Sequence, residues 1–119
     1  MPRKILLVIK SSPYGNLMAA EAFRIATAMI AMDVLPQLLF IEDGVYCLLK
    51  NQRPEAAGLN PHYERLKTVA DLVGLYTVRD SMAKRDLKII DLDESFDVKL
   101  LSIDEAEELI MENETVIAF

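Results

Sequence analysis

Cysteine and histidine are almost missing from this sequence, with Cys47 and His62 the sole example of each. A lone cysteine cannot close a disulfide within the chain. The 119 residues must therefore fold by burial, and at 52% hydrophobic they are enough for one compact domain spanning 1–119 without metal or crosslink. One cysteine and one histidine also fall short of an ordinary zinc set, so no metal or cofactor is expected. Excess positive charge is missing too. Lys and Arg number 13 against 19 Asp and Glu, and the net charge of −6 repels phosphate backbones and anionic membranes. Lys84 and Arg85 with Lys88 form the only basic patch, which is small, so neither direct nucleic-acid binding nor membrane association is expected. No charged-plus-apolar leader with a small-residue cleavage site is visible, and a reducing cytoplasm is the expected setting. Residues Asn16 to Met32 come nearest to a membrane span. They are shorter than the roughly 20 apolar residues a bilayer core requires, and Glu21 and Arg24 interrupt them on one helical face.

What is present is a repeated strand-to-loop pattern. Lys4 to Ile9 is an apolar run that breaks at Ser11-Ser12-Pro13-Tyr14-Gly15, and Leu38 to Ile41 breaks at Glu42-Asp43-Gly44-Val45. Unbroken apolar runs mark buried parallel strands, whose ligands sit beyond the carboxyl ends. Between the two runs, Asn16 to Met32 reads as a helix with one stripe of Leu17, Ala20, Phe23 and Thr27 and another of Met18, Ala22, Ile25, Met29 and Met32. One stripe can face the sheet, and the other calls for a second partner, economically a subunit interface.

The alternation continues along the chain. Val45 to Leu49 begins a second helix that frays at Asn51 to Pro54. Asn60-Pro61 starts a third, carried by Tyr63, Leu66, Val69, Ala70 and Val73 as far as Gly74. Leu75 to Val78 reads as a strand, Ser81 to Arg85 as a short helix, Leu87 to Ile90 as a strand or strand-like connection, and Asp91 to Asp97 as acidic loop. Val98 to Leu101 is a strand, Ser102-Ile103-Asp104-Glu105 is a capping box, and Ala106, Leu109 and Ile110 give the last helix a buried face. Thr115 to Phe119 closes the sheet. The expected fold class is α/β, a three-layer α/β/α sandwich on a mostly parallel sheet of about five strands, flavodoxin-like in layout.

Three groups of residues could carry chemistry. Ser11, Ser12, Tyr14 and Gly15 could hold an anion at a helix start, although Ser and Asn capping the first turn accounts for the same residues. Glu42 and Asp43 could act as an acid/base pair, but adjacent side chains point apart, and Asp43-Gly44 is an ordinary turn. Cys47 lies near a helix start, which favours a thiolate. Its neighbours Val45, Leu48 and Leu49, and the carboxylates of Glu42 and Asp43, favour a buried, inert thiol. A small-molecule or anion-binding enzyme centred on Cys47 or on Ser11 to Gly15 is one reading these residues leave open.

Taken in order, Lys4 to Ile9, Ser12-Pro13-Tyr14-Gly15, the Ala-rich helix, Phe40-Ile41-Glu42-Asp43-Gly44-Val45 and Thr115-Val116-Ile117-Ala118-Phe119 resemble the DsrE/DsrF-like family, nearest its DsrF and TusC type of subunit. The resemblance covers essentially the whole chain. It implies a DsrEFH-like fold and a cytoplasmic sulfur-relay or sulfur-oxidation protein, in a family whose carriers hold sulfur as a cysteine persulfide. It also implies homo-oligomers, or hetero-oligomers with cysteine-bearing DsrE/TusD-like and DsrH/TusB-like subunits, serving tRNA thiolation or a dissimilatory sulfur pathway. Carrier members place their cysteine just after the third strand, where this chain has Val78. Asp86 stands where a glycine is common. The resemblance therefore implies a non-catalytic or accessory subunit, with Ser11, Ser12, Tyr14, Gly15, Glu42, Asp43 and Gly44 lining the approach of a partner.

Overall fold

The computed structural model describes residues 4–14, 17–50 and 63–119. Within them five strands form one parallel sheet: β1 (Ile5–Ile9), β2 (Gln37–Phe40), β3 (Leu75–Val78), β4 (Lys99–Leu101) and β5 (Thr115–Ala118), in the order β4-β3-β2-β1-β5. The alternation of β1 shows why two layers of helix are needed. Leu7 and Ile9 turn to one face, where they pack with Leu38, Phe40 and Leu75; Leu6 and Val8 turn to the other, with Leu39 and Val78. Side chains of successive strand residues point to opposite faces, so a sheet apolar on both must be covered on both.

The larger layer holds α1 (Met18–Ala31) and α2 (Tyr63–Ala70), with Phe23 of α1 tilted against Phe40 at 6.3 Å between ring centroids. The smaller layer is built by α4 (Ile103–Glu112), which buries Ala106 and Leu109. A short α3 (Arg79–Ala83) follows β3 without an intervening loop. The expected three-layer sandwich is the fold found, and among the described residues no helix is long and apolar enough to cross a membrane.

Several expectations need correction. The buried side of α1 is Ala19, Ala22, Phe23 and Ala26, which matches neither expected stripe. Small alanines let the helix lie close to the sheet, while Leu17 and Met32 at the helix boundaries stay 77% exposed. Ile25 and Met29 pack against the chain's own core, so the demand for a second partner is weaker than the pattern suggests. The second helix is a 3₁₀ segment, Glu42–Leu48, that starts three residues early. Leu87 to Ile90 forms no strand. Ile89–Asp91 is a 3₁₀ turn, beyond which Leu92 bridges antiparallel to Leu49. The acidic stretch holds another such turn, Glu94–Phe96, whose Phe96 is buried. Ile110 is 39% exposed, because only Ala106 and Leu109 of α4 reach the sheet. The breaks at Asn51 to Pro54 and Asn60-Pro61 lie outside the described residues, as does His62.

Candidate functional site

The carboxyl ends of β1, β2 and β3 bring the expected residues to one edge of the molecule. After β2 the chain turns at once, with the Ile41 N–H donating to the Ile9 carbonyl at 3.0 Å and the Gly44 N–H to the Ile41 carbonyl at 2.9 Å. Gly44 is required here by proximity. A Cβ on it would fall 2.0 Å from the Ile9 carbonyl oxygen, which is backbone and cannot swing aside. Tight winding continues to Leu48 and carries Cys47 beneath the loop that follows β1, where its thiol faces the Ser11 carbonyl at 4.0 Å.

Cys47 is 4% exposed, and burial pushes its thiol up to about 12, only partly offset by a backbone hydrogen bond. The raised value fits the expected inert thiol. Its main cause is desolvation, where the sequence pointed also to the carboxylates of Glu42 and Asp43. The thiolate is the nucleophilic form, and burial disfavours it near neutral pH.

Among the described residues the β1 loop does not cap α1 as expected. The N-cap of α1 is Leu17, which makes no side-chain capping bond, and the Ser12 hydroxyl instead donates to the Tyr14 carbonyl at 3.0 Å. Ser12 therefore braces its own loop. Gly15 and Asn16 lie outside the described residues.

Glu42 and Asp43 engage α3 and the turn that follows it. The Glu42 N–H donates to Ser81 Oγ at 3.2 Å, and Arg85 Nε donates to Asp43 Oδ1 at 3.1 Å while its other nitrogen reaches the Ser81 carbonyl at 3.2 Å. Ser81 and Arg85 are the residues that sequence reasoning missed. Arg85 stood out only as part of a basic patch, and that patch is broken up. Lys84 pairs with Asp80 and Arg85 with Asp43.

Val78 ends β3 and is the residue from which α3 starts. It is 6% exposed, packed among Leu6, Val8, Leu39, Ala106 and Leu109. Just beyond it an open cleft of about 420 Å³ runs between α3 and the start of α4, lined by Arg79, Asp80, Ala83, Ser102, Ile103 and Asp104. Among the described residues no cluster of His, Cys, Asp and Glu could hold a metal ion.

The DsrE/DsrF-like family model matches residues 3–119. The chain belongs to the DsrE/DsrF-like family. Among curated DsrE/DsrF-like relatives, the intracellular sulfur oxidation protein DsrF of Allochromatium vinosum is 30% identical, over 98% of this chain and 96% of its own. Protein TusC of Buchnera aphidicola is 27% identical over 98% of this chain and 99% of its own. The crystal structure of the ychN protein of E. coli superposes with a TM-score of 0.80 at 21% identity, covering 98% of this chain and 99% of that one. At that identity the match bears on the fold, and it agrees with the sheet and layers described above.

Proposed function

We propose that this protein is an accessory subunit of a cytoplasmic sulfur-relay or sulfur-oxidation system, one that positions a persulfide-carrying partner and carries no sulfur itself. The observation that carries this reading is Val78. It occupies the end of β3, where the family resemblance leads one to expect a carrier cysteine, and its apolar side chain cannot form a persulfide. The chain's single thiol offers no substitute, because Cys47 is buried and keeps its proton. The names of two relatives, a sulfur oxidation protein and TusC, point the same way.

In this reading Ser11, Ser12, Tyr14, Glu42, Asp43 and Gly44 shape the surface that a cysteine-bearing DsrE/TusD-like subunit approaches, and Ser81 and Arg85 hold the β2 loop in place for it. Co-purification from the native host tests this directly. The expected result is recovery of a relative that has a cysteine after its third strand, together with impaired sulfur transfer when this chain is deleted. Recovery of this chain alone with transfer unchanged would overturn the proposal, as would a persulfide detected on Cys47 by intact mass after incubation with a sulfur donor.

A further inference from the structure

The sheet has two edges, and they differ. At one, β4 is short and carries Lys99, the kind of charged residue that discourages pairing with another chain. At the other, β5 carries no charge and no proline, and all four of its side chains are exposed, with Val116 at 42% and Ile117 at 37%. The strand beside it, β1, is almost wholly buried. The hydrogen bonds fix which backbone groups of β5 remain open. Thr115 donates to the Lys4 carbonyl at 3.2 Å, Phe119 donates to the Val8 carbonyl at 2.8 Å, and the Phe119 carbonyl accepts from Lys10 at 2.8 Å. Odd-numbered residues thus turn their peptide groups to β1. Alternation leaves the amide and carbonyl of Val116 and of Ala118 pointing away from the sheet.

We propose that a second copy of this chain pairs antiparallel along β5, continuing the sheet across a two-fold axis beside Ile117. In that register Val116 of each copy lies opposite Ala118 of the other, and the two exchange both backbone hydrogen bonds, so every open group described above is matched. Ile117 then faces its own counterpart as the pair without hydrogen bonds, where side chains come closest. Charge selects the same direction. Glu112 and Glu114 outnumber Lys4 at the start of β5, and Lys10 lies beside its end. Antiparallel pairing brings the acidic end of each copy to the lysine end of the other, whereas parallel pairing sets acid against acid. A two-fold contact uses the same surface on both copies, which this edge satisfies. The inference stands independently of the sulfur-relay reading.

The test is Ile117→Cys, oxidised in air and followed by intact mass. In the proposed register the paired Cα atoms sit about 4.5 Å apart, within disulfide range, so a crosslinked pair is expected. Cys47 is buried and protonated and stays out of the reaction. Met111→Cys, at a site 83% exposed but off the edge, is the control and crosslinks slower by about an order of magnitude. In parallel, Ile117→Lys is expected to convert the pair to monomers by sedimentation with its far-ultraviolet dichroism unchanged. Equal crosslinking of the two cysteine variants, or a wild-type chain that sediments as a monomer at micromolar concentration, would overturn the proposal.

Discussion

Burial holds the proton on Cys47 up to about 12, while the ordinary value for the thiol is 9.0. The stability tied to that difference is complete below 9.0 and drains away as pH rises towards 12, because the unfolded chain ionises first and the folded one resists. Wild type is therefore expected to lose melting temperature faster than Cys47→Ser across that window; parallel curves would show that the thiol titrates alike in both states. At neutral pH the same substitution should cost about 1–3 kcal/mol by denaturant titration, since a more polar hydroxyl replaces the thiol in a desolvated site. Gly44→Ala is a second test at this scale. Its new Cβ would overlap the Ile9 carbonyl, and a loss of about 1–3 kcal/mol is expected, with wild-type stability as the contrary result. Much of this was legible in the sequence. Val45, Leu48 and Leu49 around Cys47 announce an apolar site. The hydrogen bond that Ser12 makes within its own loop was not legible, because a serine before a helix reads equally as its cap.

Elements were legible where their signals are local. The Ser102 capping box forms as written, with the Glu105 N–H donating to Ser102 Oγ at 3.2 Å and the Ser102 N–H donating to Glu105 Oε1 at 3.0 Å. Ser102→Ala is accordingly expected to destabilise the protein by about 1 kcal/mol, measured by chemical denaturation, and Ser102→Asp to restore most of it. Asp43→Ala contrasts with this. Its bond to Arg85 links the β2 loop to the turn after α3, yet the carboxylate is largely exposed, so a loss below about 1 kcal/mol is expected. A larger loss would mean that the link holds the loop fold itself. The 3₁₀ winding of Glu42–Leu48 escaped sequence reading because a short apolar cluster fits either helix type, and the close approach of Gly44 to β1 is a tertiary constraint. The stripes of α1 were misjudged for a related reason. Large residues dominate an apolar pattern, but close packing on a sheet favours alanine.

At the scale of the molecule, the sheet was the most legible feature, since β1, β2 and β3 are apolar runs bounded by turn residues. The unequal coverage of its faces was not. Strand runs show that both faces are buried but not how much helix lies on each, and here α4 covers one face largely by itself. The pairing of Ile5 with Thr115 has a kinetic consequence. β1 sits between β2 and β5, so during synthesis one flank of the first strand stays open until the chain has been made as far as Thr115 and beyond. Long-range parallel pairing is slow, and an apolar strand waiting with an open flank is prone to self-association. A chain ending at Glu114 is therefore expected to aggregate on refolding from denaturant while the full chain recovers, and equal recovery of the two would show that β1 is protected before β5 arrives. The fifth strand acts as the lock on the first.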